Sequence, residues 1–209
     1  DLTGLPNRQL LEERLRTARN HADRQHRTVS VCYLDLDGFK AINDKWGHLA
    51  GDQALRTLAE RLTRALRSGD TVARIGGDEF VLLLQGDDNH DAVYQRILAT
   101  VGDPVAVGDQ NVTLTASLGI TRYPEDGSEA EGLIRHADQA MYSAKEKGRN
   151  QYHFFDPGLD EHRRNRRNQL MELTRALENE EFELFFQPQI RVTDCQLFGF
   201  EALIRWNHP

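Results

Sequence analysis

The chain has 209 residues, roughly 1.4 domains at the usual ~150 residues each, which predicts one complete domain and part of another. Hydrophobic residues at 39% and charged residues at 28% are ordinary globular usage and exclude collagen, coiled coil and wholesale disorder. A net charge of −7 argues against a broad basic footprint for nucleic acid, and no apolar run approaches the ~20 residues of a membrane span.

Leu11, Leu15, Ala18 and Ala22 recur at helical spacing and predict an amphipathic first helix. Residues 28–36 are apolar and β-branched and predict a buried strand that runs into Asp35-Leu36-Asp37. A short helix over 38–46 is punctuated by Gly47, and Leu55, Leu58, Leu62 and Leu66 mark a longer one that stops at Ser68-Gly69. Residues 71–75 and 80–85 read as two strands joined by Gly76-Gly77-Asp78-Glu79, where paired glycines supply the φ > 0 of a tight hairpin turn. A helix over 91–101, a short strand over 104–107 and a long strand over 112–123 follow. Leu133, Ala137, Ala140, Met141 and Ala144 give a helix ending at Gly148, and 151–155 a last strand. Alternating strands and helices with a hairpin in the middle predict a mixed or antiparallel sheet carrying helices, not a purely parallel doubly wound one.

Asp156-Pro157-Gly158 breaks this pattern. Arg163-Arg164-Asn165-Arg166-Arg167 and the stripe Leu170, Leu173, Leu177 predict an exposed linker helix over 157–181, the arginines forming a solvated face. Residues 183–190 and 197–205 read as two strands of a new unit. Cys32 and Cys195 lie far apart without CxxC spacing and read as buried structural thiols in a reducing compartment. The chain opens on Asp1, so the natural start is expected upstream.

Asp35 and Asp37 end a buried strand and, two residues apart, share a face of it; Asp78 and Glu79 sit at the hairpin tip. Two acidic clusters at the ends of apolar strands are costly unless a cation balances them, and Mg²⁺ suits carboxylates that leave room for phosphates. The alternative for each cluster is a solvated acidic turn. Asp37-Gly38-Phe39-Lys40 opens a helix, so its free N–H groups and Lys40 suit an anion. Lys145 and Arg149, four apart at a helix end, read either as cations complementing the dipole or as anion ligands.

Gly76-Gly77-Asp78-Glu79-Phe80 is the signature of the GGDEF family, the diguanylate cyclases, and the resemblance extends across residues 1–156. Asp1-Leu2-Thr3-Gly4-Leu5-Pro6-Asn7-Arg8 resembles the family's opening DxLTGLPNR element, with one residue missing before Leu2. Asp35-Leu36-Asp37-Gly38-Phe39-Lys40 through Asn43-Asp44, Gly47-His48 and Gly51-Asp52 resembles DxDxFKxxND…GHxxGD. Residues 137–145 with Gly148-Arg149-Asn150 resemble the closing ADxALYxAKxxGRN element. In the tail, Phe185-Phe186-Gln187-Pro188 and Gly199-Phe200-Glu201-Ala202-Leu203-Ile204-Arg205-Trp206 resemble the start of an EAL cyclic-di-GMP phosphodiesterase, a (β/α)8 barrel of which only residues 182–209 are present.

The resemblance implies an α/β (α+β) fold like the adenylyl cyclase and polymerase palm, a five-stranded central mixed sheet flanked by helices. It implies condensation of two GTP into cyclic di-GMP and two pyrophosphates by a homodimer, with two Mg²⁺ (or Mn²⁺) per active site, in a bacterial cytoplasm. By matched position Asp35, Asp78 and the Leu36 carbonyl hold metal, and Asp78 or Glu79 helps deprotonate the 3′-hydroxyl. Gly76 and Gly77 admit the triphosphate. Asn43 and Asp52 read guanine, and Gly38, Phe39, Lys40, Lys145 and Arg149 contact phosphate. Arg67 and Asp70, at the family's RxxD offset before Gly76, are the expected product-inhibition site; a helix end complementing its dipole is the alternative. Gln187, Glu201, Leu203 and Arg205 match EAL positions without forming a working site. Trp46 and His48 are expected to pack or cap. A GTP-binding regulatory module and a cyclic-di-GMP receptor are the competing functions. An unclosed piece of barrel exposes strand edges, so 182–209 are expected to be poorly ordered or to pair with another chain.

Overall fold

The structure, a computed structural model, describes residues 2–86, 90–107, 110–127, 129–158, 175–177, 179, 181–191, 193 and 196–207. Asn7 opens α1 (Arg8–Gln25) by accepting the Leu10 N–H on its side chain, and His26 closes it in the left-handed conformation. The next elements are β1 (Val29–Asp37), α2 (Phe39–Trp46), α3 (His48–Ala65), β2 (Thr71–Gly76) and β3 (Glu79–Gln85). They are followed by α4 (His90–Gly102), β4 (Val105–Val107), β5 (Gln110–Val112), β6 (Thr115–Tyr123), α5 (Ala130–Glu146) and β7 (Gln151–Phe154).

The main sheet has five strands in the order β2-β3-β1-β6-β7. The β2–β3, β3–β1 and β1–β6 pairs are antiparallel and β6–β7 is parallel, so the sheet is mixed. The central strand is buried on both faces, which is why its sequence is a continuous apolar run and does not alternate. Cys32, Leu34 and Leu36 pack into a core with α2, α3 and α4, while Val29, Val31 and Tyr33 face α1 and α5. Asp35, at the end of the second set, therefore lies on the α5 side. Cys32 is a buried free thiol.

The long strand expected over 112–123 begins only at Thr115, and Val112 ends a separate short strand. β5 turns back on β4 in a separate two-stranded sheet, and β6 enters the main sheet only at Thr115. No glycine or proline lies at the break, and Leu114 is buried, so the alternation of apolar residues with threonine continues through the change of direction.

The chain divides into two compact units, Asp1–Pro157 and Gly158–Pro209. In the second, β8 (Phe182–Ile190) and β9 (Leu197–Trp206) form an antiparallel two-stranded sheet that leaves Leu184, Phe185, Phe186, Phe198 and Phe200 exposed. Most of the expected linker helix, with its arginines, Leu170 and Leu173, and Cys195 as well, lies outside the described residues; Leu177 of that stripe is exposed.

Candidate active site

Register builds the centre of the site. Asp35 pairs with Glu79 across β1–β3, and the next N–H along, that of Leu36, donates to the Asp78 carbonyl at 3.3 Å. The hairpin tip is thereby held against the C-terminal end of the central strand. From the other side, Lys145 in the last turn of α5 places Nζ 2.7 Å from Asp35 Oδ1. Burial pushes the Asp35 carboxyl above its usual range, Lys145 opposes that, and Asp78 and Glu79 push it further up. Tyr33, two residues earlier on the same face, has its hydroxyl raised by burial first and then by the neighbouring carboxylates of Glu79 and Asp138. Asp138 lies two turns before Lys145 on α5; burial raises its carboxyl, Lys145 lowers it and Asp35 raises it.

Asp35 and Asp37 share a face but not a task. The Asp37 carboxylate accepts from Thr115 Oγ1 at 2.8 Å, Ser117 Oγ at 2.8 Å and the Asn150 N–H at 3.2 Å. It binds the end of β1 to β6 and to the turn that follows α5.

The glycine pair of the hairpin does not supply positive φ. Among the described residues the glycines with φ > 0 are Gly4, Gly38, Gly47, Gly86, Gly127 and Gly148. A bulge between Arg74 and Gly76 shapes the hairpin instead, and the Arg74 guanidinium grips the Gly77 carbonyl from Nε at 3.0 Å and from Nη2 at 2.7 Å. What the glycines provide is room. A Cβ on Gly76 would lie 3.1 Å from Glu79 Oε2, whereas one on Gly77 would meet nothing within 4 Å.

Gly38, at φ 70, makes the turn from β1 into α2, whose start has no side-chain cap. Its first-turn N–H groups thus lack a side-chain acceptor beside the end of β1. The Phe39 side chain is buried in the core, so only its backbone faces that turn, and Lys40 is exposed. Asn43 lies over the first turns of α3, where a Cβ on Gly51 would fall 2.0 Å from Asn43 Oδ1. That close approach sets Asn43 against Gly51, the residue before Asp52. Trp46 packs against the core with Lys45 Nζ 4.3 Å above its ring, and His48 is exposed.

The pairing of Lys145 with Arg149 changes. Arg149 is not on the helix with Lys145, because α5 ends at Glu146 and Arg149 lies beyond it at φ 62. Helical i, i+4 spacing therefore does not join the two cations. The Asp70 carboxylate accepts the N–H groups of Arg67 at 3.1 Å and Gln85 at 3.1 Å, so it braces the α3–β2 turn. Arg67 lines a groove of about 350 Å³ with Leu5, Arg14 and Thr71. In the tail, Gln187 pairs with Glu201, Phe185 with Leu203 and Glu183 with Arg205, which puts Gln187, Glu201, Leu203 and Arg205 on one face of the hairpin.

Among the described residues no three His, Cys, Asp or Glu side chains form a metal cage. Asp35, Asp78 and the Leu36 carbonyl are hard oxygen donors. The upward push that Asp78 and Glu79 exert on Asp35 is the excess negative charge that a divalent cation relieves. The sequence reading missed Arg74, Tyr33 and Asp138 as members of this cluster. Asp138 was within reach, since it lies in the motif that carries Lys145.

The family described as "Diguanylate cyclase, GGDEF domain" matches residues 1–151, and the EAL domain family matches residues 171–209. The chain is 41% identical over its whole length to the bifunctional diguanylate cyclase/cyclic di-GMP phosphodiesterase MucR of Pseudomonas aeruginosa, and spans 31% of that protein. It is 40% identical over its whole length to the cyclic di-GMP phosphodiesterase PdeR of Escherichia coli, again spanning 31%. A solved structure comprising only the GGDEF domain of TpbB (YfiN) from Pseudomonas aeruginosa is 38% identical, with a TM-score of 0.71 over 75% of this chain and 93% of that one.

Proposed function

The chain belongs to the GGDEF family, with the start of an EAL domain behind it, and on that premise we propose that residues 1–156 are a diguanylate cyclase. Two GTP molecules would be joined into cyclic di-GMP. Each 3′-hydroxyl oxygen forms a bond to the α-phosphorus of the other nucleotide, each pyrophosphate leaves, and Asp78 or Glu79 accepts the hydroxyl proton. Two copies of the domain meet face to face for this, each holding one GTP, in the cytoplasm. Residues 157–181 serve as linker, and 182–209 contribute no phosphodiesterase activity.

The observation that carries the reading is the register that sets Asp35 opposite Glu79 and the Asp78 carbonyl on the Leu36 N–H. Asp35, Asp78 and the Leu36 carbonyl would hold Mg²⁺ or Mn²⁺, two per site. Bound there, the ions neutralise phosphate charge and favour the ionised hydroxyl. The backbone of Gly38 and Phe39 binds phosphate at an uncapped helix start, with Lys40, Lys145 and Arg149 adding charge. The open side of Gly77 admits the triphosphate. Asn43 donates and accepts, and Asp52 accepts, which favours guanine over adenine. Product inhibition would rest on Arg67 and Asp70; each Asp70 oxygen holds one backbone N–H, and a carboxylate with about four acceptor sites can still accept from a ligand.

Incubation with GTP and Mg²⁺, followed by chromatography for cyclic di-GMP, tests the reading against an Asp78→Ala control. No product at high protein concentration rejects it. GTP binding without turnover would select the second reading, a regulatory module of a phosphodiesterase. That reading is favoured by the likeness to PdeR, whose name is that of a phosphodiesterase.

A further inference from the structure

Among the described residues, the Lys145–Asp35 pair differs from the other ion pairs. Arg8–Glu12 and Arg64–Glu60 are helix-surface pairs at 3.4 Å, in which the arginines are 70% and 78% exposed. Lys145 and Asp35 meet at 2.7 Å with side chains only 28% and 12% exposed. They come from different elements, and both ends are fixed. Asp35 is held in the middle strand of the sheet. Helix α5 is pressed onto β6 so closely that Gly119 has no room for a Cβ. Its exit is pinned by the Arg149 N–H on the Ala144 carbonyl and the Asn150 N–H on Asp37.

A carboxylate with an ammonium on it has its charge already matched. An opposite charge at this range lowers a carboxylate's affinity for a proton by about 10- to 1000-fold, and it opposes any other cation in the same sense. Lysine suits a reversible form of this role, since it carries a compact charge on a flexible stem and not a rigid fork. Phosphate oxygens arriving at the start of α2 would offer Lys145 a second anion.

We infer that Lys145 is the counter-cation of Asp35, and that it must leave Asp35 before that carboxylate can serve a divalent cation. Metal and nucleotide then enter as a unit, because the phosphates draw off the lysine that otherwise excludes the metal. The inference rests on the proposed metal role of Asp35 and adds a second role for Lys145 beyond phosphate contact.

The test is Mn²⁺ binding to the 209-residue chain without nucleotide, followed by the electron paramagnetic resonance signal of free Mn²⁺. Lys145→Met should bind Mn²⁺ at least about tenfold more tightly than the wild type. Lys145→Arg should stay near the wild type, and Asp35→Asn in the Lys145→Met background should abolish the gain. Circular dichroism melts confirm that each variant is folded, and Lys145→Gln replaces Lys145→Met if that variant is not. Equal or weaker binding after removal of the ammonium, or a gain that survives Asp35→Asn, overturns the inference. Because no turnover is measured, absence of cyclase activity would sink the proposed function without deciding this result.

Discussion

Replacing Gly119 by alanine puts a methyl group where the backbone of α5 already is. The added Cβ would lie 2.0 Å from the Ala137 oxygen, 2.0 Å from the Met141 nitrogen and 2.7 Å from the Ala140 carbonyl carbon. None of these is a side chain that can swing away. To restore an ordinary 3.4 Å contact from 2.0 Å, the helix must retreat by about 1.4 Å. Carried to the end of α5, that shift opens the 2.7 Å Lys145–Asp35 contact to about 4 Å, the limit of an ion pair. Overpacking of this kind costs about 3 kcal/mol, which lowers Tm by roughly 6–12 °C in a domain of this size. Displacement of a site group by an ångström costs about a hundredfold in turnover. Thermal melts and a cyclic-di-GMP assay on Gly119→Ala measure both effects. The control is Gly77→Ala, whose Cβ meets nothing within 4 Å, so Tm should hold while turnover falls. A Gly119→Ala protein that melts with the wild type and keeps its activity would refute the argument that close helix–sheet contact positions Lys145.

Three further outcomes follow from single contacts. Asp37→Ala leaves two hydroxyls and the Asn150 N–H without their acceptor, and should cost about 2–4 kcal/mol in urea denaturation. Arg74→Lys removes the fork from the Gly77 carbonyl without touching substrate. It should lower kcat about tenfold and leave the KM for GTP within about twofold, and steady-state kinetics showing the reverse split would exclude Arg74 as a positioning residue. Asp35 and Asp138 have carboxyl groups raised above the ordinary 3.8, chiefly by burial. Each binds its proton more tightly folded than unfolded, so the stability it adds is complete below 3.8 and is lost as pH rises through the folded value. Asp138→Asn should therefore reduce the decline in stability from mildly acid to neutral pH and raise stability at neutral pH, as read from urea melts at several pH values.

Most of the sheet was legible because its strands carry local signals. Leu11, Leu15, Ala18 and Ala22 mark the buried stripe of α1, and the unbroken apolar run of β1 reports burial on both faces. The break before β6 was not legible. Residues 112–116 are apolar or β-branched, and what separates β5 from β6 is tertiary: β5 pairs with β4, while Thr115 and Ser117 are drawn to Asp37 across the sheet. Pattern reports the face a residue occupies, not the strand it chooses.

The site divides along the same line. Residue types placed two acidic clusters at strand ends and only the family resemblance joined them; the fold brings Asp35 beside the Asp78-Glu79 tip because β1 and β3 are neighbours in register. Spacing could not distinguish Asp35, which meets a lysine, from Asp37, which holds three donors, because that difference comes from α5 and β6, far along the chain. It misled for Lys145 and Arg149, whose four-residue separation is helical only if the helix continues, and α5 ends between them. The glycine pair makes the same point. Two identical residues in a signature suggest one job, the positive φ of a turn. The fold gives that job to neither. Gly76 makes space for the Glu79 carboxylate and Gly77 opens toward solvent, while Arg74, outside the signature, holds the tip in place. A motif records which side chains must be absent or charged, and the groups that fix their positions lie wherever the sheet brings them.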